Sequence, residues 1–118
     1  MSDTTPRAED IDPEDTKLIT LSRSSRARNG AAEGAAVRDE TGRTYTATTV
    51  TLPALELSAL QAAVAAAVSS GAATLEAAVV VTENSELSPT DLAVVRDMKT
   101  GHVLLAAPDG TPTLSRRD

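Results

Sequence analysis

The chain contains no cysteine, phenylalanine or tryptophan, and it has one tyrosine among its 118 residues. Without cysteine it can form no disulfide, no thiolate metal site and no thiol nucleophile. Because aromatic side chains are nearly absent, the core must be built from aliphatic residues. The only histidine is His102. A single histidine without converging ligands is typical of a structural residue, so we do not expect it to bind a metal.

Positive charge is also scarce. The chain has 11 lysines and arginines and 17 acidic residues, which gives a net charge of −6. A nucleic-acid backbone requires a basic patch, so we expect no nucleic-acid partner. No apolar run approaches about 20 residues, and the N-terminus lacks the basic and apolar regions of a signal peptide. We therefore predict no membrane association and a cytoplasmic protein. The excess of alanine, and of arginine over lysine, is typical of a GC-rich bacterial source.

The length predicts a single domain. Residues 1–11 are polar and acidic without periodicity, which predicts a disordered leader. Residues 12–111 carry the periodic segments and form the predicted domain. Residues 112–118 are expected to be a charged tail or a short edge strand.

The central segment of the domain is residues 57–71, which predict a buried helix. Leu57, Leu60, Val64 and Val68 recur at helical spacing, and alanines on the flanking faces permit close packing on more than one side. Ser58 is placed to cap its N-terminus, and Gly71 follows its last turn.

Two further helices have clear start signals, a cap residue followed by proline and acidic residues. One helix is predicted to run from residues 12–15 (DPED) to residues 29–30 (NG), and the other to run from residues 88–91 (SPTD) to about residue 101. The first carries Arg23, Arg26 and Arg28 late in its sequence. These cations could form an anion site, but a solvated helix end explains them more simply.

Alternation and β-branched residues predict strands between these helices. Residues 34–38 and 43–51 are predicted to form a hairpin, with its turn at residues 39–42. Residues 75–82 and 102–107 are continuous apolar runs, which favours strands covered on both faces. Because strands and helices alternate, the order predicts a three-layer α/β/α sandwich with a mixed sheet.

Three segments of the chain resemble the cytidine deaminases of the small zinc-dependent nucleoside type. Residues 34–46 are similar to the family's first hairpin. Residues 58–71, which begin SALQAAV, align without gaps on the family's Cys-Ala-Glu-Arg helix. Residues 89–93 (PTDLA) lie where the family has Pro-Cys-x-x-Cys, at the expected separation. The resemblance implies a cytidine-deaminase-like fold and a homodimer or homotetramer.

The resemblance also implies which chemistry is missing. Zinc deaminases hold the metal with one histidine or cysteine and two further cysteines, and a separate glutamate moves protons. The three ligand positions here are Ser58, Thr90 and Ala93, and the glutamate position is Leu60. The family's ribose-binding asparagine and glutamate fall near Thr49 and Thr51. We therefore expect neither a bound metal nor another cofactor.

These replacements should abolish the family's reaction. A hydroxyl is a poor zinc ligand, and water that no metal activates keeps a pKa near 15.7 instead of about 7. Loss of the general acid and base removes a further factor of roughly 10²–10⁴ in rate. Ser58 could be a nucleophile only with a base nearby, and the sequence predicts none. Its position as a helix cap explains it.

Three hypotheses about function follow. The first is a catalytically inactive scaffold that binds an unknown protein partner or assembles with itself. The second is a module that binds a small ligand, nucleoside-like or nucleotide-like, in a vestigial pocket; its predicted residues are Thr49, Thr51, Ser58, Leu60, Pro89, Thr90 and Ala93. The third is an enzyme, which would be a cytidine deaminase-type hydrolase by fold similarity alone.

Overall fold

The structure, a computed structural model, describes residues 2–117. Its helices are α1 (Pro13–Asn29), α2 (Ala59–Ser69) and α3 (Pro89–Asp97). Its strands are β1 (Ser2–Thr4), β2 (Gly34–Asp39), β3 (Thr44–Thr48), β4 (Val50–Leu52), β5 (Leu55–Leu57), β6 (Leu75–Val81), β7 (His102–Ala106) and β8 (Pro112–Arg117). Over this range no helix has both the length and the hydrophobicity needed to cross a membrane.

Six strands form one mixed sheet in the order β1-β8-β7-β6-β2-β3. Only the central pair in that order, β6 and β7, is parallel, and α3 joins these two strands in the chain. The other neighbours pair antiparallel. Strands β4 and β5 form a separate two-stranded hairpin.

The two faces of the sheet carry separate apolar clusters. Helices α2 and α3 pack on one face with Val37, Ala78 and Val80. Helix α1 packs on the other face with Val79 and Val81. Because alternate residues of β6 enter opposite clusters, this strand is buried on both sides, as its continuous apolar sequence predicts. The three-layer α/β/α sandwich with a mixed sheet is confirmed.

The buried face of α2 differs from the predicted one. Leu60 and Val64 are buried, but Val68 is 49% exposed and Leu57 lies in β5. The buried residues of the helix are Ala59, Leu60, Ala63, Val64 and Ala67. The predicted stripe is confirmed at Leu60 and Val64 and was wrong at its two ends, because alanines complete the buried face and permit a close approach to the sheet.

The segment before α2 also differs from the prediction. Residues 43–51 are not one strand, since β3 ends at Thr48 and β4 begins at Val50. Between them Thr49 leaves the sheet and pairs with Glu33, whose backbone N–H donates to Thr49 Oγ1 at 3.1 Å. The chain then turns at Pro53 and returns as β5 instead of running directly into the helix.

Residues 2–4 contradict the prediction of a disordered leader over residues 1–11. They form β1, which pairs antiparallel with β8, and Arg116 donates two hydrogen bonds to Asp3 at 2.6 and 2.8 Å. Residues 8–10 form a single 3-10 turn. Strand β8 is consequently an inner strand between β1 and β7, not the edge strand or charged tail expected for residues 112–118. Met1 and Asp118 lie outside the described residues.

The predicted starts of α1 and α3 are confirmed. Asp12 Oδ1 accepts a hydrogen bond from the Glu14 N–H at 2.8 Å, with proline at the next position. Ser88 Oγ accepts one from the Asp91 N–H at 3.1 Å in the same way. The predicted end of α1 is also confirmed, because Gly30 has the left-handed conformation (φ 59°) that glycine adopts without strain.

Candidate functional site

The N-termini of α2 and α3 meet on one side of the sheet. Ser58 caps α2 through a reciprocal pair of hydrogen bonds with Gln61. The Gln61 N–H donates to Ser58 Oγ at 3.0 Å, and the Ser58 N–H donates to Gln61 Oε1 at 2.9 Å. This is a capping box, which satisfies two amides that the helix itself leaves without partners.

A hydrogen bond joins the two helix starts directly. Ser58 Oγ donates to Asp91 Oδ1 at 2.5 Å. Asp91 is 3% exposed. Burial raises the pKa of this carboxyl, and the hydrogen bond from Ser58 opposes that effect in part. Sequence reasoning expected the carboxylates of Glu86 and Asp91 near this site but assigned Ser58 no base. The contact between Ser58 and Asp91 was missed because the spacing of residues 58 and 91 does not show that the two side chains touch.

The helix starts border an open cleft of about 400 Å³. Four residues of the predicted pocket line it, namely Thr49, Thr51, Ser58 and Thr90. Sequence reasoning missed the other lining residues, which are Val50, Glu56, Leu57, Gln61 and Ser88. The spacing of Ser58 and Gln61 could have revealed one of them, since a capping box holds its glutamine side chain at the helix start.

The other three predicted pocket residues lie elsewhere. Leu60 is fully buried in the apolar cluster between α2 and the sheet. Ala93 is exposed on α3 and is not among the residues that line this cleft. Pro89 lines a neighbouring cleft of about 490 Å³, formed by residues 83–89. The cleft therefore shares only four of the seven residues predicted for the vestigial pocket.

The donor set at the helix starts does not fit the zinc ion of the deaminases. Catalytic zinc sites use three histidine, cysteine or carboxylate ligands. Ser58 and Thr90 offer neutral hydroxyls, Ala93 offers no donor atom, and Asp91 is one carboxylate already hydrogen-bonded to Ser58. Among residues 2–117 no three histidine, cysteine, aspartate or glutamate side chains cluster as metal ligands would.

A second polar cluster lies on the opposite face of the sheet, under α1. His102 Nδ1 is 3.0 Å from Asp15 Oδ2, and His102 Nε2 is 2.6 Å from Ser115 Oγ. All three residues are buried. Because an ionised carboxylate has no proton to give, Nδ1 donates to Asp15, and the second hydrogen bond joins Nε2 to the Ser115 hydroxyl.

This order of contacts is that of a serine hydrolase triad, but its surroundings are those of a structural cluster. Ser115 lies on an inner strand, and none of the three residues lines the clefts described above. Arg38 donates to the free oxygen of Asp15 at 2.9 Å. The cluster therefore ties the first turn of α1 to β2, β7 and β8.

Two arginines of the predicted cluster donate hydrogen bonds to backbone carbonyls of this chain. Arg23 Nε donates to the Pro108 carbonyl at 3.2 Å, and Arg26 Nε donates to the Ala32 carbonyl at 3.1 Å. These contacts join the exposed side of α1 to neighbouring loops. They agree with a role at the helix end and leave fewer donors for an anion.

Comparison with known proteins identifies the family of this chain. A family model described as cytidine deaminase-like matches residues 11–110. No curated protein matches the chain.

Solved structures give the same fold. The cytidine deaminase of Burkholderia pseudomallei is 20% identical with a TM-score of 0.71, and the match covers 83% of this chain and 88% of that one. The enzyme of Mycobacterium leprae is 18% identical with a TM-score of 0.67, covering 90% and 94%. A mutant of the Mycobacterium tuberculosis enzyme is 24% identical with a TM-score of 0.65, covering 91% of each chain. Since the family match spans most of the residues that the fold uses, the chain belongs to the cytidine deaminase-like family.

Proposed function

We propose that this chain is a catalytically inactive member of its family and acts as a scaffold, chiefly by assembling with further copies of itself. The proposed inactivity rests on the residues that occupy the family's catalytic positions. Two hold hydroxyls, one holds alanine, and the fourth, Leu60, is part of the hydrophobic core. These side chains cannot hold a zinc ion, and none of them can move a proton as the family's glutamate does.

Incubation with cytidine and added zinc tests the inactivity. We expect no change in absorbance beyond that of the buffer, while one of the structurally similar deaminases converts the nucleoside under the same conditions. Turnover that disappears in Ser58→Ala would overturn the proposal and would make the chain a cytidine deaminase-type hydrolase.

Two exposed apolar features support self-association. Leu52 and Leu55, which are 55% and 48% exposed, flank the turn of the β4–β5 hairpin. Helix α2 has no charged residue, and its outer side carries Ala65, Ala66 and Val68. Surface helices normally present charged side chains to water. In a chain with a net charge of −6, uncharged surfaces are also where two copies meet with the least repulsion.

Leu55→Glu is expected to weaken self-association by about tenfold or more, because it places a charge in the apolar part of the interface. Leu21→Glu is the matched control, since this leucine is 38% exposed on α1, in the opposite layer. Light scattering during size-exclusion chromatography over a range of concentrations gives the mass of each variant. A wild-type chain that stays monomeric at high concentration would contradict assembly and would leave a different protein as the partner.

A small polar ligand is the second candidate function, and the retained cleft favours it. Thr49, Thr51, Ser58 and Thr90 give the cleft a polar lining, which suits a polar nucleoside-like molecule. The nearby carboxylates of Glu56 and Asp91 disfavour an anionic ligand such as a nucleotide. A thermal-shift series with nucleosides tests this, because a ligand at 100 times its dissociation constant stabilises by about 2.7 kcal/mol. An unchanged melting temperature throughout the series would exclude this candidate.

A further inference from the structure

The junction between α2 and α3 raises a physical question that the proposed function does not address. In a zinc deaminase the metal ligands come from both helix starts, so the bound ion also cross-links them. Here the residues at those positions do not fit a metal. Two helix N-termini placed side by side also present like partial charges to each other.

The contacts at the junction form one continuous chain of hydrogen bonds. The Gln61 N–H donates to Ser58 Oγ, and Ser58 Oγ donates to Asp91 Oδ1 at 2.5 Å. The Asp91 N–H in turn donates to Ser88 Oγ. The cap of α2 is thereby linked to the cap of α3 through the side chain and backbone of Asp91.

The chemistry of the two central groups suits a cross-link. Ser58 Oγ accepts one hydrogen bond and donates another, so its single proton is committed to Asp91. A hydroxyl–carboxylate contact of this length is typical of a charge-assisted hydrogen bond, which is stronger than one between neutral groups. Asp91 is almost completely buried, so competition from water is small. A carboxylate beside two helix N-termini is also favoured by their dipoles.

We propose that the Ser58–Asp91 hydrogen bond replaces the metal as the cross-link between α2 and α3 and makes the fold independent of zinc. The two helix starts then unfold as one unit, and the cleft between them keeps its shape without an ion. This statement concerns the chain's stability and holds whether or not the protein self-associates.

A double-mutant cycle with Ser58→Ala and Asp91→Ala tests the cross-link by urea unfolding. Each single change should raise the equilibrium constant for unfolding. In the double variant this constant should be about tenfold smaller than the product of the two single effects predicts, because the shared hydrogen bond is lost only once. The matched control pairs Ser58→Ala with Asp12→Ala, which removes the cap of α1 in the opposite layer. That pair should be additive within about twofold.

A second experiment tests the proposal even if an alanine variant does not fold. The wild-type chain should unfold at the same urea concentration with zinc and with a chelator, and Ser58→Thr, which keeps the hydroxyl, should remain within about fivefold of it. An additive Ser58–Asp91 cycle would overturn the proposal. So would a wild-type chain that added zinc stabilises and a chelator destabilises.

Discussion

Replacing Leu60 by glutamate, the residue that the resemblance places there in active deaminases, is expected to lower the free energy of unfolding by at least about 3 kcal/mol. Leu60 is fully buried among aliphatic side chains of α2 and the sheet, so the new carboxyl would have no partner. Burial raises the pKa of such a carboxyl above its unfolded value near 4.3, and stability should therefore fall further as the pH rises from acidic to neutral. Urea unfolding at several pH values measures both effects.

Leu60→Met is the matched control, because it conserves volume and polarity and should cost less than about 1.5 kcal/mol. If Leu60→Glu were as stable as Leu60→Met, the side chain at position 60 would face an open, hydrated pocket. The hydrophobic occupation of the catalytic position, on which the proposed inactivity depends, would then be wrong.

Replacing Asp15 by alanine is expected to destabilise the fold by roughly 3–5 kcal/mol. Asp15 is buried in the first turn of α1, where it accepts from Arg38 Nη2 at 2.9 Å and from His102 Nδ1 at 3.0 Å. Removing the carboxylate leaves the largely buried Arg38 guanidinium with only the exposed Glu76 as an acidic partner, at 3.0 Å, and its Nη1 already has no partner among the described residues. The loss of an ion's partner in the interior costs more than the pair itself contributes.

The control for this prediction lies one residue away. Glu14 occupies the same turn of α1, but its ion pair with Lys17 at 2.9 Å is exposed. Exposed pairs contribute little, so Glu14→Ala should leave the unfolding midpoint nearly unchanged. Equal effects of Asp15→Ala and Glu14→Ala would show that the cluster under α1 does not hold the helix to the sheet.

Local signals account for the parts of the fold that the sequence predicts well. Proline after a cap residue marks the starts of α1 and α3, because cap chemistry depends on neighbours within one turn. The apolar sequence of β6 predicts a strand buried on both faces. The order of these elements was enough to predict the three layers, since short connections leave few possible topologies.

Several of the misses involve contacts between residues far apart in the chain. The pairing of β1 with β8 joins residues 2–4 to residues 115–117. Neither segment has strong strand character, and the Asp3–Arg116 ion pair that stabilises them has no local signature. The same holds for Ser58 and Asp91, and for His102 with Asp15, since spacing along the chain does not show which side chains meet in space.

The site was predicted in part for the same reason. Thr49, Thr51, Ser58 and Thr90 share a cleft because the fold that the resemblance implied is correct. Ala93 and Leu60 were included by position alone, and only the rotation of each helix decides which side chains reach the cleft. Leu60 lies on the buried face of α2, in the apolar stripe that the sequence also predicts, and so it points into the core instead of the cleft.

Zinc stoichiometry is the most direct test of the central claim, that this deaminase fold retains no metal-binding chemistry. The purified chain would be dialysed against excess zinc and then against metal-free buffer, and its zinc content measured beside that of a structurally similar cytidine deaminase. The account predicts that the control retains stoichiometric zinc and that this chain retains only a trace. Stoichiometric zinc in this chain that is lost in Ser58→Ala would contradict it.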